Sequence, residues 1–297
     1  MESFEIKMNK KAIIVSIKGK SLSDKEKLLL SKEKPWGLIL FKRNIGSLKQ
    51  TKNLIKNIRK NVGEKNFPIL IDEEGSKVSR LSKIFNHNID ASYFGNLFEK
   101  NSQIATILYR NYLKKLCSEL KMIGININTI PVLDVLRKNT NKIIGRRSFS
   151  AKKIIVKKMG EITIKECHSR KILTVIKHIP GHGCSQIDSH KKLPRVSLSE
   201  YNLNKIDFYP FKSTKAKLAM TAHILYSKID SKNVATFSSK LIKKIIRKKI
   251  GYKGIIMSDD ISMKALKYNL ITNAKKALLA GCNLVLYCAG DIKDNYK

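Results

Sequence analysis

The chain has no apolar span approaching the ~20 residues that a helix needs to cross a bilayer. Its basic N-terminus is followed by an apolar run, Ala12–Ile17, that is too short for the hydrophobic core of a secretory signal. These shortages point to a cytoplasmic protein and away from a membrane partner. Acidic residues are also scarce, 23 Asp and Glu against 60 Lys and Arg, for a formal charge of +37. Such an excess suits a polyanion, because clustered cations bind nucleic acid by releasing counterions. Here the lysines are spread over nearly every segment, and the aromatic residues do not interleave with basic runs as in a stacking platform for single strands. A compositional bias of the whole surface accounts for the charge, and nucleic acid is not the expected partner. The five cysteines, Cys117, Cys167, Cys184, Cys282 and Cys288, are odd in number and lie mostly in apolar segments, as reduced buried thiols do. No strand-like run leads into a Gly-x-Gly-x-x-Gly turn, so no dinucleotide site is indicated. No repeat, low-complexity linker or boundary divides the chain, which reads as one domain over residues 1–297.

What is present is a series of short apolar runs, most of them followed by a segment of helical period. The runs are Ala12–Ile17, Gly37–Phe41, Phe67–Ile71, Ile125–Ile130, Ile172–Ile176, Leu218–Ala222, Gly254–Met257 and Asn283–Tyr287. Helical faces are formed by Leu48, Leu54, Ile55, Ile58 and Val62, by Ile104, Ile107, Leu108, Tyr112, Leu116, Leu120 and Ile123, and by Ile154, Ile155, Met159 and Ile162. Further helices are expected over 22–30, 201–215 with a break at Pro210, 241–250 and 272–279, while Ser76 to about Asn101 reads as an insertion. Continuously apolar strands alternating with amphipathic helices describe buried parallel strands under a helical coat. The economical closure is an α/β fold of the (β/α)8 TIM-type barrel class, with an open doubly wound sheet as the alternative. Only Ala289–Lys297 follow the eighth run, so the last helix should be short or missing and the outer face there left partly uncovered.

Barrel enzymes carry their chemistry at the carboxyl ends of the strands. Here the third run ends in Asp72, the fifth in Lys177 and His178, the sixth in His223 and the seventh in Ser258, Asp259 and Asp260, and the loop after the fourth holds Arg146 and Arg147. Titratable groups thus gather on one rim while the strands stay apolar. Plainer roles compete: Asp259 or Asp260 could cap a helix, which needs only one carboxylate; His178 could be a core histidine; His182, between glycines, is suited to bracing a loop. His87 and His168 lie in polar segments with no evident role. The stretch from Lys177 to His190 holds three of the six histidines. His178, His182, Asp188 and His190 could bind a metal, although their spacing matches no zinc signature, and a metal-dependent hydrolase using His178, His182 and His190 is one alternative. In the other chemistry Asp188 orients and tunes His190, with Asp259 as the nucleophile across the site. Residues two apart in an extended loop project to the same side, which makes that dyad easy to form. A basic barrel that only binds anionic ligands is the non-enzymatic alternative.

The rim residues sit in a series of longer matches: Gly37–Phe41, Ile71–Gly75 with Val78 and Arg80, Pro131–Val135, Ile144–Ser148, Lys177–Gly183, Asp188–His190, Ala222-His223 and Gly254–Met263. Through these the chain resembles the family 3 glycoside hydrolases, specifically the bacterial β-N-acetylhexosaminidases of peptidoglycan recycling. The match spans nearly the whole chain in the family's order, and Ile245, Ile246, Arg247 and Lys249 extend it upstream of Asp259. The resemblance implies a retaining exo-β-N-acetylglucosaminidase acting on small carbohydrate or muropeptide substrates, with no cofactor and no metal. It makes Asp259 the nucleophile of a covalent glycosyl-enzyme intermediate, His190 the general acid and then base, and Asp188 its tuning carboxylate. Asp72, Arg80, Arg147, Lys177 and His178 match the sugar-binding positions. The sequence departs from the family at Ser76 and Lys77, which replace a glycine and an arginine, and at Arg146, which replaces a glutamate.

Overall fold

A computed structural model describes residues 10–189 and 192–297. Eight parallel strands close into a barrel: β1 (Lys11–Val15), β2 (Pro35–Leu40), β3 (Ile69–Ile71), β4 (Ile127–Asn128), β5 (Leu173–Ile179), β7 (Leu218–Thr221), β9 (Ile255–Asp260) and β10 (Leu284–Leu286). Each pairs with its neighbour in the chain, and β10 closes onto β1 through Ile13 opposite Val285 and Ile14 opposite Leu286. A separate ribbon of β6 (Arg195–Val196) and β8 (Leu225–Tyr226) pairs beside the barrel. The expected (β/α)8 class and every expected strand are present.

Strand alternation divides the apolar residues into two cores. Ile14, Trp36, Ile39, Leu70, Val175 and Met257 fill the barrel interior with others of their kind, so the interior is a packed plug. The residues between them along the strands, such as Val15, Leu38, Leu40, Ile69 and Ile176, pack outward against the helices. Those helices are α1 (Asp24–Glu33), α2 (Leu48–Val62), α3 (Ala91–Lys100), α4 (Ser102–Ile123), α5 (Lys153–Ser169), α6 (Glu200–Lys205), a wide π-type helix over Lys240–Lys249, α7 (Leu270–Ala280) and α8 (Ile292–Tyr296). Their starts are set by side-chain caps, with Ser23 and Glu26 forming a reciprocal capping box on α1, and Ser47, Asn101, Ser199 and Asn269 capping α2, α4, α6 and α7. A groove of about 370 Å³ lies over β1 and β10 between α1 and α7, with the five-residue α8 along its edge.

Four expectations for the helical coat need correction. The stretch read as an insertion contains α3, whose Phe94 packs on Tyr109 and Tyr112 of α4. Because that aromatic cluster sets the rotation of α4, Ala105, Tyr109, Leu113 and Cys117 turn inward, and Ile104, Ile107 and Leu108 are left 50%, 60% and 45% exposed. Ile154 is likewise exposed at the start of α5. The helix expected over 201–215 stops at Lys205, resumes as a single tight turn over Tyr209–Phe211, and buries Asp207 in the gap. Pro210 sits in the first positions of that turn, where its missing N–H leaves no bond unmade. Among the described residues no helix is long and apolar enough to cross a membrane.

Candidate active site

The carboxyl ends of the strands carry a nearly closed set of ion pairs. Asp72 follows β3 directly, and its carboxylate meets Lys177 Nζ at 3.1 Å, Arg80 Nη2 at 3.2 Å and the Thr129 hydroxyl. Glu74, two residues on and therefore on the same side of the extended chain, accepts Arg147 Nε and Nη2 at 2.7 and 2.8 Å and lies 2.6 Å from Lys177 Nζ. Lys177, buried at the end of β5, bridges the two carboxylates and also donates to Thr129 Oγ1 at 2.8 Å. Burial opposes charge on both acids, and the cations outweigh it: Lys177 and Arg80 hold Asp72 far below the usual carboxylate range, and Arg147 and Lys177 hold Glu74 at about 2. Burial likewise works against the Lys177 ammonium, and Asp72 and Glu74 raise it above its ordinary value. Two carboxylates and three cations leave one positive charge in excess within a preorganised set of donors, suited to the hydroxyl and carbonyl acceptors of a polar ligand.

The loop from Glu73 to His87 holds Arg80 over this cluster. Glu73 turns away from the mouth, and its carboxylate accepts the backbone N–H groups of Arg80 and Leu81 at 2.7 and 2.9 Å, the Ser79 hydroxyl at 2.7 Å and His87 Nδ1 at 3.0 Å. His87 is buried, and its other ring nitrogen meets Glu119. Burial disfavours protonation of that ring, but the hydrogen bonds to Glu73 and Glu119 outweigh it and raise its pKa. His87 is therefore a bridge that ties the Arg80 loop to α4, not an idle residue of a polar segment. His168 bonds the Thr174 hydroxyl at 3.0 Å on the outer side of β5.

Beside the ion-pair cluster, Asp134 organises the turn after β5. Its Oδ2 lies 2.7 Å from His178 Nδ1, and its Oδ1 accepts the backbone N–H groups of His178 and His182 at 3.2 and 2.6 Å. Burial pushes the Asp134 carboxyl up, and His178 more than reverses this. With Nδ1 donating to the carboxylate, the orientation of the His178 ring is set. His182 braces the loop through its backbone and through a 3.4 Å contact from Nε2 to Ser189 Oγ, and burial drops its pKa to about 4. Asp188 is half-buried on this loop; His190, read as the general acid and base, lies outside the described residues.

On the opposite wall, β9 ends in Asp259 and Asp260. Asp259 Oδ1 accepts the Asp260 N–H at 2.8 Å, while Asp260 accepts the N–H and hydroxyl of Ser262 at 3.0 and 2.7 Å and the Cys288 N–H at 3.2 Å. The two acids thus divide their work: Asp260 braces the turn, and the next helix, which the competing capping role would have had one of them cap, begins only at Leu270 and is capped by Asn269. Burial raises the Asp260 pKa. His223 donates from Nε2 to the Asp260 carbonyl at 3.0 Å and bonds Thr236 Oγ1 through Nδ1 at 2.7 Å, and burial lowers its pKa, so it supports the β9 terminus as a neutral ring.

The structure therefore gathers Asp72, Arg80, Arg147, Lys177 and His178 on the β3–β5 side of one mouth and Asp259 at the end of β9 on the same rim. Sequence reasoning missed Glu74, Thr129 and Asp134. Glu74 was legible in the alternation from Asp72, and Asp134 sits in the Pro131–Val135 match. Among the described residues no group of three or more His, Cys, Asp or Glu side chains is placed to hold a metal ion. His178, one member of the metal alternative, has its Nδ1 committed to Asp134.

The chain as a whole has counterparts among known proteins. Residues 7–297 match the model of the glycosyl hydrolase family 3 N-terminal domain. The chain belongs to the family 3 glycoside hydrolases. Among the relatives of this glycoside hydrolase, the beta-hexosaminidase of Psychromonas ingrahamii is 34% identical, over 96% of this chain and 86% of that protein. The NagZ of Neisseria gonorrhoeae, solved in complex with N-trifluoroacetyl-D-glucosamine, superposes with a TM-score of 0.86 at 29% identity, covering 94% of this chain and 82% of that one. A family 3 beta-N-acetylglucosaminidase from Paenibacillus sp. also gives a TM-score of 0.86 at 27% identity, where the chain spans 96% of its own length and 55% of the other.

Proposed function

We propose that this glycoside hydrolase is a retaining exo-β-N-acetylglucosaminidase that removes terminal β-linked N-acetylglucosamine from peptidoglycan fragments in the cytoplasm. The observation that carries the reading is the preorganised cluster of Asp72, Glu74, Arg80, Arg147 and Lys177 on the same rim as Asp259. Relatives named as beta-hexosaminidases and the ligand of the gonococcal protein support the choice of sugar. In this reading the cluster and His178 orient the hydroxyls and the acetamido group, so that the anomeric carbon is presented to Asp259. An Asp259 carboxylate oxygen attacks that carbon as His190, tuned by Asp188, protonates the departing oxygen. His190 then takes a proton from water, which releases the sugar with its original configuration. Because the acid is an imidazole, the carboxylate spacing used to separate retaining from inverting enzymes does not apply unmodified.

The test is release of 4-nitrophenol from 4-nitrophenyl β-N-acetylglucosaminide, with the configuration of the first-formed sugar read by proton NMR. Turnover giving the β-anomer first supports the proposal. A folded wild-type enzyme inactive on this substrate and on muropeptides contradicts it.

A further inference from the structure

The loop that carries Asp188 is held from behind by a buried ion pair outside the site described above. Arg137, on the segment after β4, places Nη2 against Oδ2 of Asp207, which lies in the break between α6 and the Tyr209–Phe211 turn. The Asp207 side chain is 0% exposed and that of Arg137 is 25% exposed. The pair is incomplete, since Asp207 Oδ1 and Arg137 Nε have no partner among the described residues. A buried pair in this state is weak as a source of stability, so its position invites a different explanation.

Its surroundings supply one. Gly181, at φ +139°, packs on Asp207 so closely that an added Cβ would lie 2.9 Å from Asp207 Cβ. The Arg137 backbone N–H donates to Thr140 Oγ1 at 2.5 Å, and that hydroxyl donates to the Gly183 carbonyl at 2.5 Å. Asn141 continues the seam, its backbone N–H donating to the Ser185 carbonyl at 2.9 Å and its side-chain amide to the Gln186 carbonyl at 2.9 Å. The segment bearing Arg137 and the segment leading to Asp188 are therefore zipped together, and Asp207 grips both, one by charge and the other by contact with Gly181. We propose that Arg137 and Asp207 are positioning residues for proton delivery, fixing the height of the Asp188 loop over the rim relative to Asp259. The inference rests on the proposed function for its catalytic meaning. Neither residue touches the sugar in this account; the pair acts through the loop.

The test exploits the fact that proton delivery matters more for a poor leaving group than for a good one. Arg137→Met and Asp207→Asn are compared with wild type on phenyl and 2,4-dinitrophenyl β-N-acetylglucosaminides. Loss of positioning should lower the ratio of kcat/KM for phenyl over dinitrophenyl by about tenfold or more in Arg137→Met. A smaller drop is expected in Asp207→Asn, which keeps a hydrogen-bond acceptor. A partly unfolded sample lowers both rates equally, so an unchanged ratio contradicts the inference whatever the variants' stability. Hydrogen exchange of the unliganded enzyme gives an arm independent of turnover. Amides of 181–189 should exchange faster in Arg137→Met while those of β3 and β9 stay as in wild type, and wild-type rates over 181–189 contradict the inference. A wild-type enzyme that cleaves neither glycoside contradicts the functional reading instead, and the exchange measurement still decides this one.

Discussion

The two walls of the barrel mouth treat their carboxylates in opposite ways. On the β3–β5 wall Asp72 and Glu74 are surrounded by Lys177, Arg80 and Arg147, and their pKa values fall. On the β9 wall Asp260 is held by a serine and a backbone amide, and burial drives its pKa up. Both walls lie at strand termini of similar polarity and burial, so the difference comes from which side chains the neighbouring strands contribute. One wall is a charge-balanced grip built to stay ionised and fixed. The other holds the Asp259 carboxylate through the Asp260 N–H and fixes the Asp260 carbonyl through His223.

That contrast can be broken from either side. The largest effect is expected from the β9 wall, where Asp259→Ala should cut kcat by on the order of 10⁴-fold or more while leaving the thermal midpoint near wild type. On the opposite wall Lys177→Met removes the cation that two buried carboxylates share, leaving each with its arginine alone, and should cost about 3–5 kcal/mol in urea unfolding at pH 7. Acid should dissolve the grip in a defined order. The folded pKa of His182, about 4, lies below its ordinary 6.5, so its contribution is present above pH 6.5 and is lost as pH falls toward 4. Glu74, moved from 4.5 to about 2, contributes stability that is full above pH 4.5 and is lost by about pH 2, a change of about 3 kcal/mol. Urea midpoints measured from pH 7 to 2.5 should fall in both windows, and Glu74→Gln should flatten the lower one. The smallest effect belongs outside the grip, where Arg146 pairs with Asp90 at 3.3 Å on the surface. Arg146→Ala should change stability by no more than about 1 kcal/mol.

Much of this was legible in the sequence, for physical reasons that also mark where legibility ended. Parallel strands buried on both faces must be apolar throughout, so the eight runs were visible, and strand polarity sent Asp72, Lys177, His178 and Asp259 to one rim. Partnerships between strands were not visible. Glu74 bridges β3 to Arg147 and Lys177, and Asp134 reaches from the β4 segment to the turn after β5, across separations that no local pattern encodes. The outward Ile104, Ile107 and Leu108 show a related limit, because a helical repeat with apolar residues on several faces is oriented by its neighbours. At Asp207 the chain abandons a helix that its apolar spacing favoured, and the partner Arg137 lies 70 residues away.

The central claim is that the β9 wall presents a nucleophile to a sugar held by the β3–β5 wall. It is tested most directly by incubating the enzyme with a 5-fluoro-N-acetylglucosaminyl fluoride, which slows release of a glycosyl-enzyme, and sequencing the labelled peptide by mass spectrometry. The account predicts one covalently attached sugar on Asp259, absent in Asp259→Ala. Labelling of a different residue, or turnover with no adduct on the wild-type enzyme, contradicts it.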